Sequence, residues 1–175
     1  YCSSDAPFNL SGGSPIGGYY AGQGVSNNMF DPSSVGYGSN LESLDLMYIY
    51  TDANGCRDTS LSPVVVQQAP SIELTSPYLV LPPTDNLYIG VSPSGDWSKC
   101  GSSDPTFTLQ MQISNASVVN NSANITYDID FGNGASQSNI NPGTIYNAVY
   151  SIQGPYEIKV TATDNITNCV RTYIK

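Results

Sequence analysis

Four cysteines, Cys2, Cys56, Cys100 and Cys169, bracket two β-rich stretches of this 175-residue chain, and their pairing constrains the fold more than any other feature. Four cysteines allow three connectivities. Sequential pairing, Cys2 with Cys56 and Cys100 with Cys169, is expected because Cys56 and Cys169 stand in similar settings. These are Asp52-Ala-Asn-Gly-Cys56 and Asp164-Asn-Ile-Thr-Asn-Cys169, each just after a strand-like run. Each bridge would close a loop of more than fifty residues, a restriction of the unfolded chain worth about 4 kcal/mol. Disulfides persist in oxidising compartments, so the pattern predicts an extracellular or cell-surface protein. Four unrelated buried thiols are the plainer alternative.

The rest of the sequence points to strands and turns. Sixteen Gly, twelve Pro and thirteen Tyr accompany abundant Ser, Asn and Thr, whereas no window sustains the apolar spacing of an amphipathic helix. Alternation is plain in Thr106-Phe-Thr-Leu-Gln-Met-Gln-Ile113, where Phe107, Leu109, Met111 and Ile113 share one face. It recurs with Ile125, Tyr127, Ile129 and Phe131, and again with Tyr156, Ile158, Val160 and Ala162. Side chains alternate across a strand, so each set marks the core face of a sheet wet on its other side. The expected fold is all-β: two tandem antiparallel β-sandwiches, residues 1–69 and 70–175, each with one disulfide. The boundary is drawn at Ala69-Pro70, between the strand-like runs Val64-Val-Val66 and Ile72-Glu-Leu74. Because residue 1 is Tyr, the chain is expected to be a processed or excised piece of a longer one.

Charge narrows the partners. The net charge is −9, with five basic residues and no histidine, so a nucleic-acid backbone or an anionic membrane surface would repel the chain. No apolar run approaches the ~20 residues that span a bilayer. Catalysis lacks its usual parts: no histidine, cysteines expected to be oxidised, Lys159 on an outward strand face and Lys99 in a loop. Asp128 and Asp130 share a strand face, but a solvated one, where nothing apolar raises a carboxyl pKa. Gly22-Gln-Gly24 superficially suggests a phosphate loop, yet no helix follows it and no basic residue is near. Calcium is the one ion to consider, with Asp128, Asp130, Asn133 and Asp164 as oxygen donors around the 131–134 turn. The plainer role for those residues is turn geometry: positive φ at Gly132 and Gly134, and an Asp130 side chain bonded to backbone. Asn-x-Ser/Thr sites at Asn9, Asn115, Asn120, Asn124 and Asn165 are candidate glycosylation positions.

Two resemblances follow from particular residues. Cys2-Ser-Ser-Asp-Ala-Pro-Phe-Asn-Leu10, Gly17-Gly-Tyr-Tyr-Ala-Gly-Gln-Gly-Val25, Met29-Phe-Asp-Pro32 and Tyr48-Ile-Tyr-Thr-Asp-Ala-Asn-Gly-Cys56 together resemble the Ig-like repeats of large surface and secreted proteins of the Bacteroidota. That resemblance implies a bridge between Cys2 and Cys56. Tyr127-Asp-Ile-Asp-Phe-Gly-Asn-Gly134, followed by Tyr150 and Gly154-Pro-Tyr-Glu-Ile-Lys-Val-Thr-Ala-Thr-Asp164, resembles a PKD (polycystic kidney disease) domain with its Trp-Asp-Phe-Gly-Asp-Gly signature. Here Ile129 replaces the tryptophan and Asn133 the second aspartate, which weakens a calcium site. Both resemblances imply a non-catalytic segment of a repetitive cell-surface adhesin or self-assembling filament. Its partners would be neighbouring repeats, copies of itself, or surface glycans and proteins. Assembly is expected through strand sharing by 171–175. The alternative is a carbohydrate- or protein-binding accessory module of a secreted hydrolase, with Tyr19, Tyr20, Tyr37, Tyr88 and Trp97 as candidate sugar-stacking rings.

Overall fold

The computed structural model describes residues 1–35, 43–75, 88–91, 97–100, 107–114, 124–152 and 154–175. The fold is all-β with antiparallel sheets. It divides into two units: Tyr1–Pro70 with Asp164–Val170, and Ser71–Thr163 with Arg171–Lys175. The second unit is therefore not the single continuous stretch 70–175.

The first unit holds β1 (Phe8–Asn9), β2 (Tyr19–Ala21), β3 (Val25–Ser26), β4 (Met29–Phe30), β5 (Ser43–Thr51) and β6 (Arg57–Val65). They form two three-stranded sheets, β1-β4-β3 and β2-β5-β6. Phe30, Val35, Leu46 and Val66 make a small buried core, against which Phe8, Leu10, Val25, Leu44 and Val64 pack. Tyr1 stacks on Phe8 at 4.8 Å between ring centroids, and Phe8 meets Phe30 edge-on at 5.7 Å, an arrangement aromatic quadrupoles favour. A short 3-10 turn, Pro32–Ser34, follows Asp31. The Asp31 carboxylate accepts hydrogen bonds from the Ser33 hydroxyl and backbone N–H, and these hold its pKa below the usual carboxylate value.

Gly18, immediately before β2, serves close packing. A Cβ on Gly18 would fall 2.5 Å from the Ile49 carbonyl oxygen and against the Tyr48 ring, and the Gly18 N–H donates to the Tyr48 hydroxyl at 2.8 Å.

The second unit holds β7 (Glu73–Thr75), β8 (Tyr88–Val91), β9 (Trp97–Cys100), β10 (Phe107–Ser114), β11 (Ile125–Asp130), β12 (Ser136–Ile140), β13 (Ile145–Tyr150), β14 (Lys159–Asp164) and most of β15 (Val170–Ile174). Two sheets, β13-β10-β7 and β12-β11-β14-β15, supply a common core, and β8 pairs with β9. Leu109, Met111 and Ile113 come from the first sheet. Ile125, Tyr127, Ile129, Val160 and Ala162 come from the second, with Phe131 and Ile158 beside them. The expected alternation places these side chains inward, while Asp128, Asp130 and Lys159 are exposed. Lys99 lies within β9 and not in a loop.

Candidate functional site at the disulfide and the strand edges

The disulfide joins Cys2 to Cys169, with their Cα atoms 5.5 Å apart. This overturns both expected bridges: Cys169 is committed to Cys2 rather than Cys100, and Cys56 is an exposed free thiol. The geometry gives the reason. Cys2 forms an isolated parallel bridge with Gln67, just past one end of β6. Cys56 sits at the hairpin tip beyond the other end, eleven residues away along an extended strand, or about 35 Å at ~3.3 Å per residue. Bridged cysteines need Cα atoms within roughly 7 Å. The Cys100 side chain lies outside the described residues.

Backbone and side-chain bonds fix Cys2 in place. The Tyr1 ammonium donates to the Val65 carbonyl oxygen at 3.1 Å, Gln67 N–H to Tyr1 O at 2.8 Å, and Ser3 N–H to Gln67 O at 2.8 Å. The Cys2 N–H donates to Asp5 Oδ2 at 2.8 Å.

On the other side, Asp164 organises the turn that presents Cys169. Asp164 Oδ1 accepts from Ile166 N–H at 2.8 Å and Thr167 N–H at 3.2 Å. Asn168 takes the positive φ of 59° that closes the turn, and Asp164 N–H donates to Cys169 O at 2.9 Å. Asp52 does the same work before Cys56, accepting at Oδ1 from Asn54 N–H and Cys56 N–H. The two sequence settings are alike because the turns are alike, and turn chemistry carries no information about the cysteine's partner.

The four expected calcium donors are occupied separately. Asp128 Oδ1 accepts from Asn139 N–H at 3.0 Å, and Asp130 Oδ1 from Gly132 N–H at 2.9 Å. Asn133 Oδ1 accepts from Ala135 N–H at 3.0 Å, and its Nδ2 donates to Val149 O at 2.8 Å. Asp164 is buried beneath its own turn. Among the described residues, no group of three or more His, Cys, Asp or Glu side chains is placed to hold a metal ion.

The 130–135 turn is built for packing. Gly132 has φ +72°, and a Cβ there would fall 2.4 Å from Glu157 O. Phe131 is buried, and its carbonyl accepts from the Tyr150 hydroxyl at 2.9 Å. Burial, then the neighbouring Tyr156 and Asp130, push the Tyr150 phenol up to about 12.

Strand edges are the remaining recognition surfaces. Ladder bonds in an antiparallel pair alternate, and Asp52 N–H bonds to Cys56 O. In the β5–β6 register, Arg57, Thr59, Leu61 and Pro63 therefore turn their backbone groups away from β5. Tyr1 covers the Val65 end of that edge, and Pro63 removes one of its donors, a common guard against strand addition.

The terminal strand β15 is not free to be shared whole. It pairs with β14: Ile158 and Lys175 exchange both backbone bonds at 2.9 Å. Its outer edge begins at Val170, whose carbonyl accepts from Ser4 Oγ at 2.7 Å, and continues through Thr172 and the exposed Ile174.

Of the candidate stacking rings, Tyr19 is half exposed and Tyr20 is partly buried against Tyr48, with centroids 5.0 Å apart. Tyr37 and the side chains of Tyr88 and Trp97 lie outside the described residues. Among the glycosylation candidates, Asn9 and Asn165 are exposed and Asn124 is half-buried. Asn115 and Asn120 fall outside the described residues.

Residues 90–172 match the PKD domain family. The chain carries a PKD-like domain. The match runs from β8 into β15 and covers the Asp130-to-Gly134 turn with its Tyr150 bond. PKD domains are β-sandwich modules of extracellular proteins, structural or adhesive and non-catalytic in general. No curated protein and no solved structure matches the chain. Among the described residues, no helix is long and apolar enough to cross a membrane.

Proposed function

We propose that the chain is a non-catalytic structural and adhesive segment of a repetitive extracellular cell-surface protein or self-assembling filament. In this reading its first unit is an Ig-like repeat of the Bacteroidota type, and its partners are neighbouring repeats or copies of itself. The carrying observation is the PKD match over 90–172. The 130–135 turn is built for packing, and the two exposed carboxylates of β11 hold backbone: Asp130 accepts from Gly132 N–H in the turn and Asp128 from Asn139 N–H in β12.

Association would use the outer edge of β15, where added strands gain backbone hydrogen bonds. Thr172→Pro tests this, because it removes an outward-facing donor while the inward bonds of Arg171, Tyr173 and Lys175 persist. Sedimentation at high protein concentration is expected to show self-association that Thr172→Pro weakens. A chain that stays monomeric throughout would refute self-assembly. The half-exposed Tyr19 supports the second reading, a glycan-binding accessory module, and titration with polysaccharides while following tyrosine fluorescence tests it.

A further inference from the structure

The Cys2–Cys169 bridge joins positions 167 residues apart in a chain of 175. Everything from residue 3 to residue 168 lies inside one covalent loop, and only Tyr1 and 170–175 lie outside it. We propose that this bridge is a force bypass: tension applied at the two ends of the chain passes through the disulfide rather than along the backbone enclosed by the loop. The inference rests on the tethered extracellular role proposed above, in which such tension arises.

The load path follows from connectivity. From Tyr1 it enters Cys2, crosses to Cys169 and leaves along β15. Besides Tyr1, which is held to Val65 and Gln67, only β15 is exposed to peeling, against the ladder bonds that end at Ile158 and Lys175. Once it is peeled, the seven residues outside the loop extend by no more than about 25 Å at ~3.3–3.6 Å each. Opening the bridge would release a further 550–600 Å or so. The sequential bridges would have behaved differently, leaving residues 57–99 between the two loops under load and yielding, together with the seven end residues, about 175 Å. Of the two bridged cysteines, Cys169 is buried.

Single-molecule stretching of the full chain between handles fused at Tyr1 and Lys175 tests the proposal. The oxidised chain is expected to lengthen by no more than about 25 Å. Adding a phosphine reductant under load is then expected to release the long extension, and Cys2→Ser with Cys169→Ser should show it without reductant. Should that variant fail to fold, reduction of the native chain in place gives the same comparison. Long extension of the oxidised chain, a gain near 175 Å, or no change on reduction would each overturn the bypass. Self-association does not enter this readout, so failure of the assembly reading and failure of the bypass are told apart.

Discussion

Replacing Gly132 with alanine should cost far more than replacing Gly134, although both are turn glycines in the same motif with positive φ, +72° and +88°. For an L side chain that conformation costs about 1–2 kcal/mol, a penalty the two positions share. They differ in what the new methyl meets. At Gly134 nothing lies within 4 Å. At Gly132 the Cβ would sit 2.4 Å from Glu157 O and 3.1 Å from Glu157 N and C, about 1 Å inside ordinary contact. Those atoms are backbone, and they precede Ile158, whose N–H and C=O both bond to Lys175. Relief therefore means displacing the start of the β14–β15 ladder, an overpacking cost of about 1–3 kcal/mol. Gly132→Ala should lose about 2–5 kcal/mol in all, and Gly134→Ala about 1–2. In a domain of this size that separates the melting temperatures by roughly 10 °C. Calorimetry of the full chain measures it, and amide exchange at Val160 and Ala162 places the loss in the second unit. Equal losses from the two variants would refute the account, because the close approach to Glu157 would then carry no energy.

Non-reducing peptide mapping should recover Cys2 joined to Cys169, while Cys56 reacts with a thiol reagent in the folded protein. Removing the bridge should cost about 5 kcal/mol by the chain-entropy relation, and Cys56→Ser should leave stability unchanged. Asn133→Asp, which restores a carboxylate to the turn but deletes the donor to Val149 O, should lose about 1 kcal/mol. Millimolar calcium should not restore the loss in a thermal melt, and a rise of ten degrees or more would show that the turn binds the ion. Tyr150 titrates higher folded than unfolded, its phenol being pushed up to about 12 from 10.0. Its contribution is therefore complete below about pH 10 and is lost as pH rises toward 12. Tyr150→Phe should flatten that alkaline loss in denaturation curves taken across the interval.

The inward sets at Leu109, Met111 and Ile113, at Ile125, Tyr127 and Ile129, and at Ile158, Val160 and Ala162 were legible in the sequence because strand periodicity is local. Each side chain's face is set by its neighbours two residues away. Turn chemistry was legible at Asp130 for the same reason, since its side chain bonds to backbone two residues on. The disulfide was not. Asp52 and Asp164 build similar turns before Cys56 and Cys169, and nothing local distinguishes the cysteine that meets Cys2 from the one that faces solvent. That choice depends on where the chain's first residues lie, along Val65 and Gln67, at the opposite end of β6 from Cys56. The assignment of 164–170 to the first unit likewise belongs to the tertiary structure. The pairing of β15 with β14 does too: a lone strand has two open edges, and only packing decides which of them its own chain fills.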